Sequence, residues 1–127
     1  MDATLPKAER LCGKTAVVSL FEAGKNASAG CLRCKYSFRA DSGPSRIVVS
    51  VPKRSFKRAV KRNLLKRRMR EAYRRQKELL GPGLDILFIY TSPEVQPYEV
   101  VYADMTTLLS AVASKRETQT TEDQKDI

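Results

Sequence analysis

Residues 46–90 read RIVVSVPKRSFKRAVKRNLLKRRMREAYRRQKELLGPGLDILFIY, and the succession of patterns within them decides the fold. Arg46–Val51 is rich in β-branched residues, the composition of a strand, and Pro52 ends its pairing because it has no N–H to donate. From about residue 57 to 80, Leu65, Met69, Ala72 and Tyr73 recur at helical spacing, and Gly81-Pro82-Gly83 stops the helix. Leu84–Tyr90 is short and almost continuously apolar, which reads as a strand buried on both faces. Strand, helix and strand together imply an α+β unit with its helix laid on a small sheet.

The flanks extend this unit. Cys31–Phe38 alternates, with Leu32, Cys34, Tyr36 and Phe38 pointing one way and Arg33, Lys35 and Arg39 the other, so it reads as a strand with one solvated face. Lys25–Gly30, small and polar, reads as a loop, and Ser42-Gly43-Pro44 as a turn. Further upstream, Thr15 can cap a short helix carrying Val17, Leu20 and Phe21 on one face and ending at Gly24, while residues 1–13 read as an extended arm. Downstream, Val101, Met105, Leu108, Leu109 and Val112 fall on one stripe of a last amphipathic helix. Residues 114–127 are polar and aperiodic, so a disordered tail is expected after a single domain spanning 1–113.

The formal net charge is +10, from 24 Lys and Arg against 14 Asp and Glu. Residues 53–77 hold 13 of those 24 bases and a single acid, Glu71. A polyanionic partner follows from such a concentration, although charge alone does not say which polyanion. On a helix advancing about 100° per residue, Arg62, Lys66, Arg70 and Arg74 form one i, i+4 row, with Asn63 and Arg67 beside it, in an arc of roughly 140°. Each like-charged i, i+4 pair destabilises a helix by roughly 0.2–0.5 kcal/mol. An ordinary solvated helix alternates signs; this row repeats the penalty, and a bound phosphate backbone would remove it.

Several classes of chemistry find no footing. The chain has no histidine for acid–base work, and Glu71 stands alone among bases, suited to pairing with a neighbouring Arg or Lys. Cys31-x-x-Cys34 resembles half of a zinc site, but only Cys12 remains to complete it, so buried small apolar residues are the expected role of these thiols. No catalytic residue and no protein-only metal site are expected. The longest apolar run, Ile86–Tyr90, is far short of the roughly 18 residues of a membrane span, and the N-terminus lacks the apolar stretch of a signal peptide, so no membrane association and a cytoplasmic location are expected.

The segment KRNLLKRRMREAYR, residues 61–74, resembles the signature of the bacterial ribonuclease P protein component, K-R-N-x-x-K-R-x-x-R-E-x-aromatic-R, preceded as in that family by Ala59-Val60. Ser50-Val51-Pro52-Lys53-Arg54, the opening stretch around Glu9-Arg10-Leu11 and Leu20-Phe21-Glu22-Ala23-Gly24, and Asp85–Ile89 also resemble it, so that the likeness runs from about residue 4 to 113. It implies a small mixed four-stranded sheet with about three helices, similar to the second domain of ribosomal protein S5, with a left-handed βαβ crossover in place of the usual right-handed one.

The resemblance also implies a task. The protein would be one subunit of an endoribonuclease that removes the 5′ leader from precursor tRNA, with phosphodiester hydrolysis carried out by the RNA subunit. Its partners would be that RNA and the precursor tRNA, in a 1:1 complex with a monomeric protein, and Mg2+ would be shared with the RNA. Carried over, the RNA-binding set is Lys53, Arg54, Lys61, Arg62, Asn63, Lys66, Arg67, Arg70 and Arg74. The leader-binding set is Phe21, Tyr36 and Ser50, whose aromatic members would stack on unpaired bases; core packing is the competing role for both rings. Many members have Phe where this chain has Val17, and matching through Lys25–Gly30 requires an insertion. A ribosomal or general structural RNA-binding protein is the alternative that the charged row fits equally well. An independent protein nuclease would need clustered carboxylates, and Asp85, Glu94, Glu99 and Asp104 are not spaced as such a cluster.

Overall fold

The structure, a computed structural model, describes residues 24–38 and 43–125, with side chains through Lys115. The expected opening helix, with Phe21, lies outside the described residues. Four strands form one sheet in the order β1-β2-β4-β3: β1 is Lys25–Ala29, β2 Leu32–Phe38, β3 Arg46–Ser50 and β4 Leu84–Tyr90. β2 pairs antiparallel with both β1 and β4, whereas β3 and β4 are parallel neighbours joined through helix α1, Ala59–Gln76. The sheet is therefore mixed, and its parallel pair is the strand–helix–strand unit legible in residues 46–90.

Helix α1 buries Leu65, Met69, Ala72 and Tyr73, the stripe its spacing predicts, together with Gln76. Helix α2, Tyr98–Lys125, buries Val101, Met105, Leu108, Leu109 and Val112. Both helices cover one sheet face, where Leu32, Cys34, Tyr36, Ile47, Val49, Ile86, Phe88 and Tyr90 share a single core with them. The Tyr73 and Phe88 ring centroids are 6.0 Å apart, and those of Phe56 and Tyr90 are 5.7 Å apart, fixing α1 and the loop before it over β4. Burial of each such large side chain contributes roughly 1.5–3 kcal/mol.

Both ends of the crossover are tied down. The Ser45 hydroxyl donates to the Gly81 carbonyl at 2.6 Å and accepts the Leu84 N–H at 3.1 Å, and the Gly83 N–H donates to the Gly43 carbonyl at 2.9 Å. The start of β3 is thus bonded to the turn that feeds β4. Gly81 and Gly83 take φ of 79° and 87°, a region open to glycine at little cost, so the stop signal acts through backbone geometry.

Two expectations are corrected. Residues 25–29 form an edge strand, not a loop; Ala27 and Ala29 are small enough to pack against the core, and backbone pairing to β2 supplies what their low β-propensity lacks. The segment from 114 onward, expected as a disordered tail, continues α2 to Lys125. It contains neither glycine nor proline, so nothing in its sequence breaks the hydrogen-bonded ladder begun by the packed part of the helix. Boundaries shift slightly elsewhere: α1 gives way at Lys77–Leu79 to one 3-10 turn, and α2 begins at Tyr98. Among the described residues no helix is long and apolar enough to cross a membrane.

Candidate nucleic-acid interface

Packing Leu65, Met69 and Tyr73 inward turns the opposite side of α1 to solvent. Lys61, Asn63, Arg67 and Arg70 are exposed, and Arg62 and Lys66 are half-buried at the margin. Lys53 and Arg54 are exposed in the turn just before the helix, where the Ser55 and Phe56 N–H groups both donate to the Pro52 carbonyl at 3.3 Å. Arg62 joins turn to helix: its Nη1 donates to the carbonyls of Phe56 and Lys57, each at 2.8 Å. The row and the upstream basic pair therefore belong to one continuous surface. Lys53, Arg54, Lys61, Lys66, Arg67 and Arg70 make no ion pair with another described residue.

The start of α1 is unusual electrostatically. Its first turn contains no acid, and the N-cap position is Arg58, whose side chain makes no capping bond. Acids and capping oxygens ordinarily occupy this end, where the helix dipole is positive. Here bases are added to it, which costs the isolated helix stability and concentrates positive potential at a surface suited to an anion.

Arg74 is placed differently from the rest of its row. Its Nε and Nη2 donate to the two Glu71 carboxylate oxygens at 2.9 and 2.8 Å, and Arg75 Nε donates to the same carboxylate at 2.5 Å. These bonds, from Arg74 first and then Arg75, pull the Glu71 carboxyl down to about 2. Arg68 is half-buried and donates to the Gln96 carbonyl, linking α1 to the loop before α2.

The sheet face away from the helices is a second surface. Register places Arg33, Ile89 and Ser50 in one row across β2, β4 and β3, with Lys35, Leu87 and Val48 in the next. Ser28 and Asn26 of β1 extend these rows outward, opposite Arg33 and Lys35. A further row holds Ser37, Asp85 and Arg46, and Arg46 grips Asp85 through Nε and Nη2, both at 2.8 Å. The face is thus polar and basic at its margins, with a centre in which Leu87 is buried and Val48 and Ile89 are half-buried. Arg33 and Lys35 were not among the expected site residues; their alternation with the core positions of β2 was the signal that could have found them.

Ser50 lies half-buried on this face, but Tyr36 does not lie on it. Tyr36 is 2% exposed on the helix-covered face, its ring edge-on to Phe38 with centroids 5.8 Å apart. The expectation that Tyr36 offers its ring to an unpaired base is therefore corrected: strand parity sends it into the core. Cys31 and Cys34 are also buried, and burial pushes both thiols up to about 12, so they remain protonated and poorly suited to ligation or attack. Among the described residues no three His, Cys, Asp or Glu side chains group as a metal site, so they do not fit a magnesium cage made by protein alone.

The chain matches the Ribonuclease P family over residues 5–113. The chain belongs to the ribonuclease P protein family. The ribonuclease P protein component of Porphyromonas gingivalis is 36% identical over 118 residues, covering 86% of each chain. Among solved structures, the ribonuclease P protein of Thermotoga maritima superposes with a TM-score of 0.72 at 26% identity, covering 81% of this chain and 96% of that one. The ribonuclease P protein of Staphylococcus aureus gives a TM-score of 0.73 at 21% identity, over 83% of this chain and 95% of that one, a likeness of fold. The mixed four-stranded sheet is thus a ribonuclease P protein architecture, and the family is that of protein components of an endoribonuclease holoenzyme that partner its RNA.

Proposed function

We propose that this chain is a ribonuclease P subunit that holds the catalytic RNA along α1 and the 5′ leader of precursor tRNA across the sheet face opposite α1 and α2, assisting endonucleolytic release of the leader. What carries the reading is the ordered segment 61–74 folded with Leu65, Met69, Ala72 and Tyr73 inward, which leaves Arg62, Asn63, Lys66, Arg67 and Arg70 on one surface continuous with Lys53 and Arg54, and Lys61 exposed on the other flank of the buried stripe. Arg residues there can grip phosphate with paired N–H donors, while Asn63 adds a polar contact inside the stripe.

The leader lies, in this reading, over Arg33, Lys35 and Ser50, with the half-buried Ile89 and Val48 supplying apolar contact and Phe21 an aromatic surface. Such a face tolerates variable sequence, because it offers charge and contact area in place of base-edge codes. The hydrolytic chemistry belongs to the RNA, and magnesium is held in common with it; these side chains bind and orient. The subunit acts in the cytoplasm as a monomer with one RNA.

Reconstitution tests this. The purified chain, added to a bacterial ribonuclease P RNA at low magnesium, should restore cleavage of precursor tRNA at the 5′ end and cleave nothing by itself. RNA-free cleavage would refute the division of labour. Equal affinity at physiological salt for ribonuclease P RNA and ribosomal RNA fragments would favour a general RNA-binding protein.

A further inference from the structure

Within the basic stretch the one acid is neither isolated nor exposed. The Glu71 side chain is 19% exposed and bonded to Arg74 and Arg75, three and four residues further along the same helix. By helical position Arg74 is the fourth rung of the row Arg62–Lys66–Arg70, so a tally of charges would extend the RNA footprint to it. The Nε–Nη2 edge of Arg74, which would grip a phosphate side-on, is filled by the Glu71 carboxylate. Arg70, one turn earlier, has no such partner among the described residues.

The same final turn is where α1 docks onto the rest of the protein. Gln76 is 6% exposed; its Nε2 donates to the Tyr102 carbonyl at 3.2 Å, and its Oε1 accepts from the Thr106 hydroxyl at 2.5 Å. Tyr98, at the start of α2, lies within the electrostatic reach of Arg75, Glu71 and Arg74. Arg62 and Arg68 already serve backbone carbonyls earlier in the helix, but within the row Lys66 and Arg70 make no ion pair with a described residue and Arg74 does, so the change in ion pairing falls at Glu71.

We infer that Glu71 sets the C-terminal edge of the RNA footprint on α1, holding Arg74 and Arg75 in intramolecular pairs so that phosphate contact ends at Arg70. This rests on the RNA-binding reading above. It makes Glu71 a positioning residue that acts through two arginines by withholding them. A carboxylate that instead aimed Arg74 at a phosphate would produce the opposite response to its removal.

The test is the salt dependence of affinity for ribonuclease P RNA, measured with the full chain. Each lost phosphate contact lowers the slope of log K against log salt by about 0.7–0.9. Arg70→Ala should lower the slope by about one contact, and Arg74→Ala should leave it unchanged. Glu71→Gln should steepen it by about one contact and tighten binding several-fold at low salt, and Glu71→Gln with Arg74→Ala should return it towards the parent value. Circular dichroism melts accompany each variant, and Glu71→Asp, which keeps the charge, should behave as the parent. A slope loss in Arg74→Ala equal to that in Arg70→Ala, or weaker binding by a folded Glu71→Gln protein, overturns the inference. If Arg67→Ala and Arg70→Ala also leave binding unaltered, the RNA-binding reading itself falls, and this one with it.

Discussion

Tyr36 and Ser50 lie on opposite faces of one sheet: Tyr36 pairs with Ile86 on the side that α1 and α2 cover, and Ser50 with Ile89 on the other. Two residues separated by the thickness of a sheet cannot line one cleft. Tyr36→Ala should therefore act as a core truncation, costing about 3–5 kcal/mol as large aromatic deletions do. Arg33→Ala, at an exposed position, should leave stability within about 0.5 kcal/mol of the parent and weaken leader-bearing precursor relative to leaderless tRNA. Urea unfolding, with affinity for the two tRNAs in the presence of the RNA subunit, separates these outcomes. A stable Tyr36→Ala protein with a selective leader defect would restore the ring to the leader surface.

Arg62 has two employments, and its variant should show both. Its guanidinium serves the Phe56 and Lys57 carbonyls while belonging to the basic row. Hydrogen bonds from a charged group contribute roughly 1.5–3 kcal/mol, less where solvent can replace them, so Arg62→Ala should lose about 1–2 kcal/mol of stability. It should also lower the salt slope for RNA binding. Arg67→Ala, exposed and free of ion pairs to described residues, should lower the slope alone. Equal melting midpoints for the two variants would remove the structural half of the Arg62 role.

The contrast between these residues shows what a sequence discloses. The inward stripe Leu65–Met69–Ala72–Tyr73 was legible because helix period and apolar burial impose the same spacing. β4 was legible because an unbroken apolar run has one economical place, the middle of a sheet. β1 was not, since Lys25–Ala29 carries no strand composition and is held by its neighbour's backbone. The alternation in β2 correctly set Leu32, Cys34, Tyr36 and Phe38 against the face of Arg33 and Lys35, and the assignment of Tyr36 to the leader ran against that pattern. Glu71 was expected to pair with a nearby base; that it takes both Arg74 and Arg75 depends on rotamers, which charge spacing does not specify.

Among the described glycines, Gly30 is the one at which a Cβ would meet a neighbouring side chain. It opens the β1–β2 turn at φ +55°, and a Cβ there would stand 2.3 Å from Asp104 Oδ2. That oxygen already accepts the Cys31 N–H at 2.9 Å, which pins the hairpin to α2. Left-handed backbone costs a residue with a Cβ about 1–2 kcal/mol, so with the clash Gly30→Ala should lose at least about 2 kcal/mol. In an Asp104→Ala background the clash is gone, and the same change should cost about 1 kcal/mol less. Equilibrium unfolding of the four proteins gives the coupling directly; strict additivity would mean that the turn yields without meeting Asp104.

The Glu71 pairs make a pH-dependent contribution whose sign is fixed by their chemistry. The folded protein holds this carboxyl at about 2, below the ordinary 4.5, because Arg74 and Arg75 bond to its ionised form. Folding therefore favours the deprotonated group, and the stabilisation is complete above the ordinary value and disappears as pH falls from about 4.5 towards 2. Exposed helical ion pairs contribute about 0.3–0.5 kcal/mol each, so the two together, one of them bidentate, amount to about 1 kcal/mol. Glu71→Gln cannot ionise and lacks this contribution at every pH. The parent should exceed it by about 1 kcal/mol at pH 6, and the gap should narrow progressively as pH falls from about 4.5 to 2. Urea unfolding at pH 6, 4 and 2 measures the gap, and a gap unchanged at pH 2 would mean that Glu71 stabilises α1 by packing and not by charge.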